Sequence, residues 1–179
     1  MKKIETEKVF VSPADLVKDS FTLGEMIYQS GYAPDVLLGV WRGGAPVAAA
    51  VHEYLMFKGV NPYHNVIKAE SYTGIGERGT PKIENIQGIL DATGSGARML
   101  VIDDIFDSGA TLTKIASILS PPAAEVRIAT LYYKPIAGTA PGKPDYYLHA
   151  TARWVVFPHE LVGLSREELQ AKGGLPAGL

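Results

Sequence analysis

Apolar positions recur along this chain in two spacings that take turns. Leu16, Phe21, Met26 and Ile27 make a helical stripe. It opens at Ser12-Pro13-Ala14-Asp15, where Ser suits an N-cap, Pro the first helical position and the acid the first turn, and it ends near Gly31. Residues 35–41 (DVLLGVW) are almost continuously apolar, as a strand covered on both faces should be. A helix is expected over 43–58, with Pro46 in its first turn and Gly59 as its stop. A strand over 65–72, a mobile glycine-rich loop over 73–82 and a short strand over 86–90 come next. Residues 98–104 (RMLVIDD) carry the strongest buried-strand pattern in the chain. A helix over 108–119 ends at Pro121-Pro122, a strand follows over 125–133, and 145–157 is rich in aromatic and β-branched residues. Ser165-Arg-Glu-Glu168 reads as the capping box of a terminal helix over 165–171, ahead of a loose tail over 172–179.

Strands alternating with helices imply an α/β fold, with a mostly parallel sheet flanked by helices. The length of 179 residues suits one domain over 1–179. The absence of Cys excludes disulfides and thiolate metal sites and fits a reducing compartment. A net charge of −2 gives no drive toward nucleic acid or anionic membrane. The longest clearly apolar run, 45–51, falls far short of the ~18–20 residues of a membrane span, and the start lacks the apolar core of a secretory leader. The expectation is a soluble cytoplasmic protein.

Two motifs mislead. Gly74-Ile-Gly76-Glu-Arg-Gly79 matches G-x-G-x-x-G, but Thr80-Pro81-Lys82 follows where the dinucleotide fingerprint needs a helix. Asp103-Asp104-Ile-Phe-Asp107 matches D-D-x-x-D, but it lies at a strand end instead of on a helix. Ligands of open α/β sheets bind beyond the carboxyl ends of the strands. Three acids crowded there repel one another unless a cation or hydroxyl donors stand beside them. Ser108-Gly109-Ala110-Thr111 then opens a helix whose free N–H groups favour an anion. Carboxylates followed by a phosphate cradle imply a phosphorylated sugar.

Residues 99–112 (MLVIDDIFDSGATL) resemble the phosphoribosyl-diphosphate-binding signature of the type I phosphoribosyltransferases. Val40-Trp41-Arg42-Gly43-Gly44 resembles the family's diphosphate loop, and Ser71-Tyr72 the start of the lid in its 6-oxopurine members. Lys134, with Pro144-Asp145-Tyr146-Tyr147 and the run from Trp154 to Pro158, resembles the purine strand and hood of the xanthine/guanine/hypoxanthine enzymes. The resemblance covers about residues 35–161, and it implies a core over about 35–135 and a small hood from about 136–161 plus the N-terminal segment. It implies purine salvage: Mg²⁺-dependent transfer of phosphoribose from phosphoribosyl diphosphate to hypoxanthine, guanine or xanthine, by a homodimer or homotetramer.

By that resemblance, Asp103 and Asp104 meet the ribose hydroxyls, directly or through Mg²⁺. Ser108, Gly109, Ala110 and Thr111 hold the 5′-phosphate. Asp107 is the general base, Lys134 donates to the purine 6-oxo group, Trp154 stacks on the base and the Val155 backbone reads its edge. Arg42-Gly43 matches a peptide that is cis in some members. Two departures stand out. Glu70 precedes Ser71 where many relatives have a cation, which leaves Arg78, Lys82 or no residue for the diphosphate. Val156 stands where some relatives read the purine 2-substituent with an acid. Glu160 suits a metal contact or a plain surface acid, and His52, His64, His149 and His159, lacking metal-ligand spacing, read as structural or surface residues. A non-catalytic regulator of the same fold and a transferase for another base are the alternatives.

Overall fold

The computed structural model describes residues 7–70, 73–74, 77–78, 82–135, 142–172 and 175. The chain begins with β1 (Lys8–Phe10), α1 (Pro13–Gln29), β2 (Val36–Trp41), α2 (Gly44–Phe57) and β3 (Tyr63–Glu70). After β4 (Thr73–Gly74), β5 (Glu77–Arg78) and β6 (Lys82–Glu84) come α3 (Ile86–Thr93), β7 (Arg98–Phe106) and α4 (Ala110–Leu119). β8 (Glu125–Tyr133), β9 (Tyr146–Ala150), β10 (Trp154–Val156) and α5 (Arg166–Lys172) complete it.

Six strands form one sheet in the order β6-β3-β2-β7-β8-β9, all parallel except the edge strand β6. Side chains alternate across this sheet. Leu37, Leu100, Ile102 and Leu131 pack on one face with Leu23 and Ile27 of α1 and Val47, Val51 and Leu55 of α2. Val36, Leu38, Val101 and Met99 pack on the other with Ile89 of α3 and Leu112 and Ile115 of α4. Because both faces are covered, β2 and β7 had to be apolar at nearly every position. A separate two-stranded parallel sheet joins β1 to β10, with Val9 opposite Val155, and forms the small hood.

The caps behave as expected. Ser12 Oγ accepts the Asp15 N–H at 3.0 Å, and Pro13 begins α1. Ser165 and Glu168 exchange the two bonds of a capping box, Ser165 N–H to Glu168 Oε2 at 2.8 Å and Glu168 N–H to Ser165 Oγ at 3.3 Å. Other expectations need correction. Residues 86–90 are not a strand but part of α3: Ile86, Ile89 and Leu90 share one helical face, and that face seals the sheet. Within the expected mobile loop 73–82, Thr73 pairs antiparallel with Arg78 and Gly74 with Glu77, and Lys82 already belongs to β6. The first α4 residue is Ala110, because Gly109 is left-handed and keeps Ser108 outside the helix. Most of the tail 172–179 lies outside the described residues. No helix among the described residues is long and apolar enough to cross a membrane.

The starts of β2 and β7 are tied by one carboxylate. Asp35 accepts from the Arg98 backbone N–H at 2.9 Å and from its guanidinium at 3.0 and 2.8 Å. The Arg98 side chain, then its backbone N–H, hold the Asp35 carboxyl down from 3.8 to about 2. Both side chains are nearly half-exposed, so solvent screening keeps the pair to ~0.2–1 kcal/mol. Folding lowers this pKa, so the stabilisation is complete above the unfolded value and fades as pH falls through the folded one. Asp35→Asn should therefore be slightly less stable at pH 7, and the gap should close between about pH 4 and 2 in urea unfolding curves. A gap that stays constant to pH 2 would mean that the carboxylate charge is not what ties the strands.

Candidate functional site

The carboxyl ends of β2, β3 and β7 open into a cleft of about 410 Å³. The turn from β2 into α2 forms one wall, with Trp41, Arg42 and Gly43. Asp103, Asp104 and Thr111 form the floor, and His159 and Glu160 come in from the segment after β10. A smaller hollow of about 90 Å³ continues under the loop from Asp107 to Thr111.

Two glycines let the β2–α2 turn press against β7. A Cβ on Gly43 would lie 2.2 Å from Asp104 Oδ2, and one on Gly44 would lie 2.3 Å from the Ile102 carbonyl oxygen. Both glycines are thus committed to close packing, and the bend falls ahead of them. The one cis peptide among the described residues joins Trp41 and Arg42, one bond before the Arg42–Gly43 peptide that the resemblance pointed to. Arg42 itself is exposed at the rim.

Asp103 and Asp104 are consecutive residues that β7 carries into the cleft. Asp103 Oδ1 accepts the Asp104 N–H at 3.0 Å, and its carboxylate also accepts from the Gly44 backbone. Burial first, and then the neighbouring Asp104 charge, push the Asp103 carboxyl well above the usual carboxylate range. A pair in that condition gains from any cation or donor that enters the cleft. Among the described residues no three His, Cys, Asp or Glu side chains gather as a ready metal cluster.

Beyond Asp107, Gly109 adopts φ 74° and turns the chain into α4, whose first amides are Ala110 and Thr111. The Ala110 N–H reaches Ser108 Oγ at 3.4 Å, and the Thr113 N–H bonds the Gly109 carbonyl at 2.8 Å. The loop therefore presents N–H groups and hydroxyls at a helix N-terminus, an arrangement that favours an anion.

Lys134 extends the β7–β8 pairing, its N–H bonded to the Phe106 carbonyl at 2.9 Å. The residue is only 8% exposed, with Nζ 3.4 Å from Asp107 Oδ2 and 5.0 Å from the centroid of the Trp154 ring. Trp154 remains 53% exposed, so part of its surface is open to a ligand. The Val155 side chain is buried. The Val156 carbonyl turns toward β1, where it accepts the Val11 N–H at 3.0 Å, and by strand alternation the Val155 backbone groups turn the other way. Lys134, Asp107 and Trp154 thus meet beside the anion loop, although the sequence separates them widely.

Ser71 and Tyr72 lie outside the described residues, and of Arg78 only the backbone is described. Lys82 pairs with Glu84 at 2.5 Å, and Lys68, which sequence reasoning did not single out, pairs with the same Glu84 at 3.4 Å and lines the cleft beside Trp41. Glu160 reaches the cleft with one oxygen engaged, its Oε2 accepting the Phe157 N–H at 3.0 Å. His159 is not merely structural or on the surface: it lines the cleft with Nε2 3.2 Å from Asp104 Oδ2. Its nearness to Trp154 and Glu160 in sequence was the one signal that could have found it.

The chain is also similar to known proteins. A family model described as a phosphoribosyl transferase domain matches residues 17–161. A hypoxanthine-guanine phosphoribosyltransferase of Lactococcus lactis is 32% identical over 144 residues, covering 78% of this chain and 74% of that protein. The crystal structure of a purine phosphoribosyltransferase from Pyrococcus horikoshii is similar with a TM-score of 0.69 at 31% identity, covering 88% of this chain and 97% of that one. The xanthine-guanine-hypoxanthine phosphoribosyltransferase of Helicobacter pylori is similar with a TM-score of 0.65 at 27% identity, over 84% and 92% of the two chains.

Proposed function

The chain belongs to the phosphoribosyl transferase domain family, and from that premise we propose that it salvages 6-oxopurines, joining hypoxanthine, guanine or xanthine to the phosphoribosyl group of phosphoribosyl diphosphate. One observation carries this reading: the buried Lys134 ammonium, 3.4 Å from Asp107 and 5.0 Å from the Trp154 ring, beside an anion-binding loop.

The bond from ribose C1 to the diphosphate oxygen breaks, and a bond from C1 to a purine nitrogen forms. Amides of residues 108–111, with the Ser108 and Thr111 hydroxyls, hold the 5′-phosphate at the α4 N-terminus. Asp103 and Asp104 accept the ribose hydroxyls, donors that favour the charged form of Asp103 against its burial, and the pair then offsets the positive charge that grows on the sugar as the diphosphate leaves. Arg42 and the Gly43 backbone face the diphosphate. Lys134 donates to the purine 6-oxo oxygen, Trp154 stacks on the ring and the Val155 backbone reads its edge. Asp107 takes the purine proton as the new bond forms.

The acid pair suits Mg²⁺, which binds through one or two carboxylates and completes its shell with substrate phosphates and water. Asp103 and Asp104 would hold the ion there, where it would neutralise charge on the leaving diphosphate.

The deciding experiment supplies phosphoribosyl diphosphate and Mg²⁺ with each of hypoxanthine, guanine, xanthine and adenine and follows nucleotide formation. At least one oxopurine should be converted much faster than adenine. No product from any of the four would overturn the reading.

A second expectation concerns the anion loop. Gly109→Val should abolish calorimetric binding of phosphoribosyl diphosphate, because a β-branched residue resists φ near 74° and crowds the amides that face the 5′-phosphate. Undiminished affinity in a folded variant would place the phosphate elsewhere.

A further inference from the structure

His159 stands against the acid pair, and neither transfer nor base recognition as described gives it a task. Its Nε2 is 3.2 Å from Asp104 Oδ2, and its ring stacks on Phe157 with centroids 5.7 Å apart and planes 9° apart. Its Nδ1 is buried without a hydrogen-bond partner among the described residues. An ionised carboxylate only accepts, so the contact is attractive when Nε2 carries the ring proton. Gly43 approaches the same carboxylate, so that a Cβ there would fall 2.2 Å from Oδ2 and 2.8 Å from Oδ1. Asp104 therefore lies against both the β2–α2 backbone and the His159 ring. Asp103 has its own anchors, the Asp104 and Gly44 backbones.

Two adjacent carboxylates repel when both are charged, so an outside partner for one of them helps to fix the pair. A carboxylate that must be immobilised on binding weakens binding by roughly 2–10-fold per side chain ordered. We propose that His159 is a positioning residue: its Nε2–H holds Asp104 in the orientation that receives the sugar hydroxyls, and so sets the affinity for the sugar diphosphate without reading the purine. The inference rests on the cleft being the sugar-diphosphate site.

The alternative role for the ring is packing on Phe157, and two substitutions separate the roles. His159→Phe keeps a ring to stack and removes the donor, whereas His159→Gln gives up the ring and keeps an N–H. By calorimetry with Mg²⁺ and no purine, His159→Phe should bind phosphoribosyl diphosphate about 10-fold more weakly. His159→Gln should recover most of that loss. KM for the sugar diphosphate should follow the same order, with KM for the purine unchanged. In an Asp104→Ala background, which leaves no acceptor for the ring, His159→Phe should cost little more. Parent-like binding by His159→Phe, a folded His159→Gln no better than the Phe variant, or fully additive losses with Asp104→Ala would each overturn the inference alone. A parent that binds no phosphoribosyl diphosphate would overturn the proposed function and this inference with it.

Discussion

Asp107→Asn should lower turnover by ~10²–10⁴-fold, the usual worth of a positioned general base, while phosphoribosyl diphosphate still binds. Asp107 is half-exposed at the mouth of the site, with Oδ2 3.4 Å from Lys134 Nζ. It can therefore reach an incoming purine while its own orientation is held by the lysine. Asn keeps the shape and the reach but has neither charge nor basicity. The loss should fall on kcat, because Asp103, Asp104 and the loop over residues 108–111 do not change. Steady-state kinetics on the best oxopurine and calorimetry with the sugar diphosphate alone separate the two effects. A variant that turns over at the parent rate would remove Asp107 from the chemistry. A variant that loses sugar-diphosphate binding would assign Asp107 to the sugar site.

Lys134→Met should abolish most of the preference for oxopurines over adenine. An ammonium has three donors and no acceptor. A purine 6-oxo oxygen accepts one of those donors. A 6-amino group mainly donates, so it would leave a lysine that is only 8% exposed facing a second donor. A polar group left unpaired in this way costs about 1–3 kcal/mol or more, and sites built on such a pairing can discriminate by up to ~10⁴–10⁵. Met fills similar volume and cannot donate. The measurement is kcat/KM for hypoxanthine, guanine, xanthine and adenine at saturating sugar diphosphate, in parent and variant. Oxopurine values should collapse toward the adenine value, with adenine itself little changed. Equal use of adenine by the parent would overturn both the role of Lys134 and the 6-oxopurine assignment. Because Asp107 and Lys134 are in contact, their effects should be non-additive, and the double variant should lose less than the product of the two single losses.

Several features of this protein are local in the chain, and these are the ones that its sequence determined. Ser12, Pro13 and Asp15 begin α1 through contacts within a single turn. The apolar runs of β2 and β7 announce strands covered on both faces, whatever covers them. The acids and the loop that follows them fall within residues 103–111, so their order could be read directly. Lys134 and Trp154 were matched through a resemblance; their spacing alone did not place them.

Tertiary structure decided what depends on residues far apart in the chain. The Ile86, Ile89 and Leu90 positions fit a five-residue strand as well as a helix, and the need to cover the β2–β3–β7 face settles them as α3. β1 is three residues long and exists because β10 offers it a parallel edge. The cis peptide lies at Trp41–Arg42 and not one bond later, beside two glycines that are pressed against β7. His159 becomes a partner of Asp104 only because the chain after β10 folds back over the cleft. Propensity and capping act over one turn or one strand and are written where they act. Register, close approach and the meeting of Lys134, Asp107 and Trp154 come from packing whole elements together, and no short window of sequence contains them.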